Sequence, residues 1–327
     1  MNILSITRIL EKSDLLSDFP ILPIGFESID DIAISYISPT MSTHRIIGND
    51  LIPEFTLNVD KQVFKLKTNT ITSKISQSQI ESFKSIYPDN HIQFIEDNVT
   101  NVLVSELITS LTKELINTLS NTKHQSNIKA ESESRVKQLL WDMFSYSPIS
   151  NHDDMIDFVK LIFKESNMIH NRTRIGPGHS IIVSPITYTF ISELPTFIYN
   201  TNSLVEPRVE ARLVGSLDSR INVYVSPYVN NYEILLYAKG TKEDSSLKYI
   251  LSDVEIKSIK TPDLNTEYLC KYKSVLARLP RYEDYHQKII IGDRPHSLTD
   301  WIREKPIRIL NPLVNLRNLL FIGFRLS

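Results

Sequence analysis

Between Phe55 and Ile75 the chain alternates apolar and polar side chains, and the alternation changes parity twice. Phe55, Leu57 and Val59 alternate with Thr56, Asn58 and Asp60. Phe64 and Leu66 then alternate with Lys65 and Lys67 on the opposite parity, and Ile71 and Ile75 return to the first. Period two is the signature of a strand, and a parity change moves side chains to the other face. The pattern therefore predicts strands over 34–75, with a bulge or sharp twist near Asp60-Lys61-Gln62. A long, twisted, lysine-bearing ribbon is poorly suited to a compact core and better suited to projecting and lying on something else. Its lysines also serve as edge protection.

The segment after it changes period. Residues 76–88 read as a short helix ending before Pro88, and Pro88-Asp89-Asn90 as a turn or cap. Val99, Leu103, Leu107, Leu111, Leu115 and Leu119 then recur every four residues. At 3.6 residues per turn this stripe drifts by about 40° per step, so the helix must meet different partners along its length. It reads as a spine. Residues 121–135 are polar and loop-like, Leu139–Phe144 are a short apolar piece, and Asn151–Asp154 cap another helix.

From 173 onward the chain is strand-like. Ile181-Ile182-Val183 ends at Ser184-Pro185, and 220–238 reads as a hairpin around a turn at Pro227–Asn231. Further strands are expected at 248–260 and 267–278. At the other end, Ile3, Leu4, Ile6, Ile9 and Leu10 can line a helix that Pro20 and Pro23 break. Two outcomes are open for residues 1–33: an arm that needs a partner, or a terminal helix packed on its own domain.

Composition excludes several function classes. The 327 residues suggest about two domains, or one large elaborated one. With 36 basic and 38 acidic residues the net charge is −2, so no global basic field exists to hold nucleic acid. The 8 glycines are outnumbered by 16 prolines, which weighs against phosphate-cradling nucleotide folds. The single cysteine, Cys270, excludes an intrachain disulfide or a cysteine metal cage. No apolar run reaches the ~18 residues of a membrane helix, and the N-terminus lacks the pattern of a secretory signal.

No catalytic constellation emerges. The eight histidines show no metal-ligand spacing, and no metal or other cofactor is expected. Gly176-Pro177-Gly178 precedes a strand rather than a helix and reads as a tight turn. His179 and Ser180 are adjacent on a strand-like run and point to opposite faces, so they form no nucleophile–base pair. Glu206, Arg208, Glu210 and Arg212 alternate in charge. They are either solvated pairs or, on a protruding loop, contacts between subunits.

Three stretches resemble the major capsid proteins of tailed bacteriophages, with the Hong Kong 97-type fold, and within them the T-even-like family. The first is 53–87, with Val59-Asp60-Lys61 leading through the basic ribbon into the helix around Gln77–Lys84. The second is the spine helix, 98–119. The third pairs GPGHSIIVSP (176–185) with GSLDSRINVYVSPYVNNYEILLYAKGT (215–241). The fold-signature residues there are Gly176, Gly178, Ser184, Pro185, Arg220, Pro227, Tyr228 and Gly240. The stretch after Gly240 departs from the family pattern, and 280–327 has no counterpart in it.

The resemblance implies an α+β fold with an N-terminal arm (1–33), an extended β-ribbon or E-loop with its short helix (34–88), and a peripheral domain with the spine helix (89–172). An axial domain (173–262), return strands (263–281) and a basic, apolar C-terminal tail (282–327) complete it. It implies a non-enzymatic shell protein that self-assembles into hexamers and pentamers of an icosahedral capsid. Alternatives are a specialised pentameric vertex protein or a non-viral scaffold module. Implied partners are further copies of the chain, virion proteins such as portal, scaffold or decoration proteins, and weakly contacted packaged DNA, with no membrane. The implied location is the virion capsid, assembled in the host cytoplasm. Candidate interface residues are Phe55, Leu57, Lys65, Lys67, Glu206, Arg208, Glu210 and Arg212. The tail is expected to pack on the shell and add contacts between subunits.

Overall fold

The computed structural model describes residues 3–24, 30–47, 50–127, 152–200, 211–231, 233–239, 246–261 and 265–290. The order is α1 (Ile3–Leu10), β1 (Ile21–Ile24), β2 (Asp31–Ile47), β3 (Asp50–Lys65), β4 (Lys67–Ile75), α2 (Gln77–Ile86), α3 (His91–Ser120), β5 (Gln125–Asn127) and α4 (His152–Thr173). There follow β6 (Ser180–Val183), α5 (Pro185–Ile191), β7 (Phe197–Tyr199), β8 (Arg212–Leu217), β9 (Ile221–Val225), β10 (Glu233–Tyr237), β11 (Leu247–Lys260), β12 (Thr266–Arg278) and β13 (His286–Ile290). These strands form a two-stranded ribbon β2-β3, a four-stranded sheet β1-β11-β12-β4 and a seven-stranded sheet β5-β13-β10-β6-β9-β8-β7.

The winding stripe of the spine helix is real. Ile95, Val99, Leu103, Leu107, Leu111, Leu115 and Leu119 are all buried along α3. The helix packs on β4 and β12 and also on β10 and β13. Tyr272 of β12 reaches Ser110, and Tyr249 of β11 donates to the Leu111 carbonyl. At the far end Ser120 Oγ donates to Glu233 Oε2 of β10 at 2.9 Å, and Lys288 Nζ of β13 donates to the Ser120 carbonyl at 2.8 Å. A stripe that drifts around the helix lets one rod seal two sheets.

The seven-stranded sheet is apolar on both faces. Ile181, Val183, Val223, Ile234 and Leu236 face a core with Phe158, Ile162 and Ile169 of α4 and Phe190 of α5. Their neighbours Ile182, Tyr224, Leu235 and Tyr237 face the other core, with α3 and the N-terminal segment. Burial on both sides explains why these strands read as continuous apolar runs.

The structure corrects two expectations and decides the choice left open for residues 1–33. The proposed hairpin at 220–238 is not one, because β6 lies between β9 and β10, parallel to the first and antiparallel to the second. Doubly buried strands need hydrogen-bonded neighbours on both edges, and β6 supplies the missing one. The hairpin here is β8–β9, closed by a turn at Leu217–Arg220 whose central residues Asp218 and Ser219 have φ of 51° and 54°. That is the mirror-image geometry suited to strand twist.

The bulge expected at Asp60–Gln62 is also absent. The β2–β3 ladder runs unbroken from Asp31↔Lys65 to Ser42↔Glu54 and shifts only between Ser42 and His44. Val59 simply faces solvent. The irregularity falls at Leu66, where the chain leaves the ribbon and enters the four-stranded sheet as β4. Residues 1–33 resolve the open choice against a partner-seeking arm for their described part, since Leu10, Leu15, Leu16 and Phe19 are buried in the chain's own core.

Ser184-Pro185 ends β6 as expected and also opens the next helix. Ser184 caps α5, accepting from the Thr187 amide at 3.1 Å, with Pro185 in the first turn. The boundary placed at 262 falls in the connection between β11 and β12, which pair with each other in the four-stranded sheet. Residues 282–290 add β13 to the seven-stranded sheet, between β10 and β5. Leu139–Phe144, the charged run Glu206–Glu210, Gly240 and the segment 291–327 lie outside the described residues.

Candidate assembly surfaces

The ribbon is built by two strands of 17 and 16 residues. At about 3.4 Å per residue it spans roughly 50 Å. Its base is anchored: Ile32, Ile34 and Phe64 pack on Leu66, Ile250 and Ala277. Lys273 Nζ also meets Asp30 at 2.9 Å, and with hydrogen bonding as the larger effect it holds that carboxyl below its ordinary value. Above the base the two faces differ. Gln62 and Phe64 are half-buried, whereas Lys61 and Lys65 are exposed and Val59 and Val63 are 67% and 65% exposed. Two β-branched apolar residues thus sit in water on a strand pair with no third strand among the described residues.

A second surface lies where α2 turns into α3. Ser76 and Gln79 form a reciprocal capping box that fixes the start of α2. Tyr87 stacks on Phe94 at 4.5 Å between ring centres, and Phe83 packs on Phe94 at 5.8 Å. This aromatic trio holds the corner rigid while Ile86 and Ile92 point outward, 64% and 61% exposed. The stretch 81–97 that carries them holds four carboxylates (Glu81, Asp89, Glu96, Asp97) and one lysine, Lys84.

Between these surfaces one carboxylate ties the chain's start to the large sheet. Asp18 Oδ2 accepts from Tyr224 and Tyr237 hydroxyls at 2.9 and 2.8 Å, and Oδ1 accepts from Lys239 Nζ at 3.0 Å. Burial first, and the facing Asp18 charge second, push both phenols well above their usual range, so they remain donors. The Lys239 amide donates to His179 Nδ1 at 3.0 Å. Burial lowers the His179 pKa.

The sequence-derived residues are dispersed. Phe55 and Leu57 lie on β3 opposite Met41 and Pro39. Lys65 ends that strand and Lys67 opens β4, both exposed. Arg212 starts β8 opposite Val225, far along the chain from the ribbon. Gly178 sits where a Cβ would come within 2.9 Å of Ile169 Cδ1 and 3.0 Å of Leu236 Cγ, so any side chain there would force both neighbours to shift. Gly176 faces open space. Arg220 lies over the Phe163 ring at 5.7 Å, and Tyr228 lies under Lys113 Nζ at 4.7 Å. Pro227 follows β9 in the loop to β10. The α2–α3 corner and the Asp18 anchor were missed. The corner's signal was the cluster Ile86, Tyr87 and Ile92 beside a proline turn; Asp18 had none, because its partners lie more than 200 residues away.

Comparison with curated proteins finds no match. Among solved structures, the chain is similar to the capsid of the Myoviridae phage XM1, with 8% identity over 85% of this chain and 91% of that one, at a TM-score of 0.50. It is also similar to the capsid of the cyanophage P-SCSP1u, at 9% identity over 84% and 87% and a TM-score of 0.49. The first likeness supports the fold. A family model described as major capsid protein Gp23 matches residues 27–250, well over half of the sequence, and the chain belongs to that family.

Proposed function

We propose that this major capsid protein closes its shell from rings of six and five copies, and that the β2–β3 ribbon carries each subunit's grip on the next. The protein is structural rather than enzymatic. The observation that carries the reading is the solvent-facing pair Val59 and Val63 on a ribbon anchored at its base. Burying such residues at about 25 cal/mol per Å² favours association. Phe55, Leu57 and Lys65 share this ribbon and Lys67 follows it at the start of β4, and all four join the proposed contact, while Arg212, with Glu206, Arg208 and Glu210, is proposed for contacts around the ring axis. The domain assignment is proposed in revised form, with the spine helix and the four-stranded sheet, β11 included, peripheral, and the seven-stranded sheet, β5 and β13 included, axial. Portal, scaffold or decoration proteins are proposed partners, the packaged DNA is enclosed with weak contact, and assembly takes place in the host cytoplasm before the virion is complete.

Electron microscopy of the purified chain across protein and salt concentrations tests this. Shells, tubes or rings of five or six are expected. The Val59→Asp/Val63→Asp variant should remain folded and lose them. A variant that assembles like the wild type would refute the ribbon's role, and a wild type that stays monomeric at every concentration would refute self-assembly.

A further inference from the structure

The α2–α3 corner exposes apolar side chains beside uncompensated negative charge. Ile86, Tyr87 and Ile92 are 64%, 43% and 61% exposed. Glu81, Asp89, Glu96 and Asp97 are exposed too, and no lysine or arginine occurs between Lys84 and Lys113. Among the described residues none of these four carboxylates forms an ion pair. Glu81 accepts from the Gln77 amide at 3.2 Å and Asp97 from the Gln93 amide at 2.9 Å, which leaves their charge in place. A segment that covers this corner must be apolar and basic at once.

The end of this chain has that chemistry. Residues 305–327 hold Lys305, Arg308, Arg317 and Arg325 and no acidic residue. Leu313, Leu316 and Leu320 recur among them at three- and four-residue spacing. Other exposed apolar pairs suit such a segment less. Val59 and Val63 alternate with Lys61 and Lys65, and Arg212 stands near the Tyr188–Tyr199 pair beside Ile198.

Geometry favours a neighbour's corner over the chain's own. Lys288 Nζ bonds to the carbonyl of Ser120, the last residue of α3, and β13 ends two residues later at Ile290. The corner lies at the other end of this helix of 30 residues, about 45 Å away. Residues 291–304 cover at most roughly 50 Å when fully extended. Docking at home therefore demands a straight chain along the whole helix, through Gly292 and Pro295.

Resting on the reading that copies of this chain assemble, we infer that residues 305–327 of one copy dock on the α2–α3 corner of a second copy. The leucines cover Ile86, Tyr87 and Ile92, and Arg308 and Arg317 meet Glu96 and Asp97. The contact joins two different patches, so it is heterologous and runs in one direction from copy to copy. It links copies independently of the ribbon.

Charge exchange in the full chain tests this. Arg308→Glu/Arg317→Glu sets like charges across the contact, as does Glu96→Lys/Asp97→Lys. Each should raise the protein concentration needed for assembly at low salt by about tenfold or more. The chain carrying all four changes should assemble near the wild-type concentration, which also shows that the altered surfaces fold. An equimolar mixture of the two double variants should assemble too, since the tail of each suits the corner of the other. Double variants that assemble like the wild type, or a fourfold variant that is not restored, would overturn the inference. A restored fourfold variant beside a mixture that stays unassembled would put each tail on its own corner and overturn the role of the second copy. In each of these cases a loss of assembly in Val59→Asp/Val63→Asp leaves the ribbon's role standing, so the two readings fail separately.

Discussion

His286 should make the protein sensitive to mild acid. Its ring is buried at the start of β13, 1% exposed, and neither ring nitrogen has a hydrogen-bond partner among the described residues. Burial first, then the Arg172 and His124 charges, depress its pKa to about 3. Arg172 of α4 clamps this strand, donating to the His286 carbonyl at 3.0 Å and to Gln287 Oε1 at 2.9 Å. Asp284, paired with His124 and Arg281, sits just before it. A neutral imidazole is therefore required in the folded state, while the unfolded chain takes up a proton near its ordinary pKa of about 6.5. Below that pH the unfolded state binds more protons, so stability falls as pH falls and the loss levels off only near pH 3. At about 1.36 kcal/mol per pH unit, the loss from this group is roughly 2 kcal/mol by pH 5.

The assay is urea unfolding of the full chain at pH 7.5, 6.5, 5.8 and 5.0, below the concentration of assembly, for the wild type and His286→Leu. Other carboxylates and histidines titrate in both proteins, so the difference between them isolates this ring. The leucine variant should differ by at most about 1 kcal/mol at pH 7.5, a polar group in an apolar site being exchanged for an apolar one of similar size. It should then gain on the wild type by about 2 kcal/mol by pH 5. A difference that stays flat across this range would refute the reasoning, because it would mean that His286 is solvated or charged in the folded protein.

Gly178→Ala should cost about 1–3 kcal/mol in thermal or urea unfolding, since Ile169 and Leu236 must both give way, whereas Gly176→Ala should be nearly silent. Asp18→Asn should destabilise by about 2–4 kcal/mol, because Lys239 loses its counter-charge and two buried phenols lose a charged acceptor. Leu107→Ala, at a position with no exposure in the α3 core, should cost about 3 kcal/mol.

The local periodicities were legible and the pairings were not. The every-four leucine stripe foretold α3 and its change of partner, because a helix writes its packing face into spacing alone. The ribbon was legible for the same reason. The supposed hairpin at 220–238 failed because apolar strands buried on both faces carry no signal of which neighbour they take, and β6 enters from 40 residues earlier. The bulge failed because Val59 was assumed to seek burial in its own chain. Val59 and Val63 follow the geometry of the strand and face solvent, and on the proposed reading a partner buries them. The N-terminal segment was ambiguous because its burial depends on Tyr224, Tyr237 and Lys239, none of which local sequence can nominate.

That misreading has a physical corollary. A shell subunit must be stiff where it transmits load and extended where it grips. The stiffness here comes from elements that cross between cores: α3 bonded to Tyr272 at one sheet and Glu233 at the other, and Asp18 bonded to both β9 and β10. The proposed grip comes from a ribbon whose base, among the described residues, is held by Ile32, Ile34, Phe64 and the Asp30–Lys273 pair. A two-stranded ribbon alone is at best marginally stable in water. Its base is set by the sheet, and on the proposed reading the contact that builds the shell would also support the ribbon.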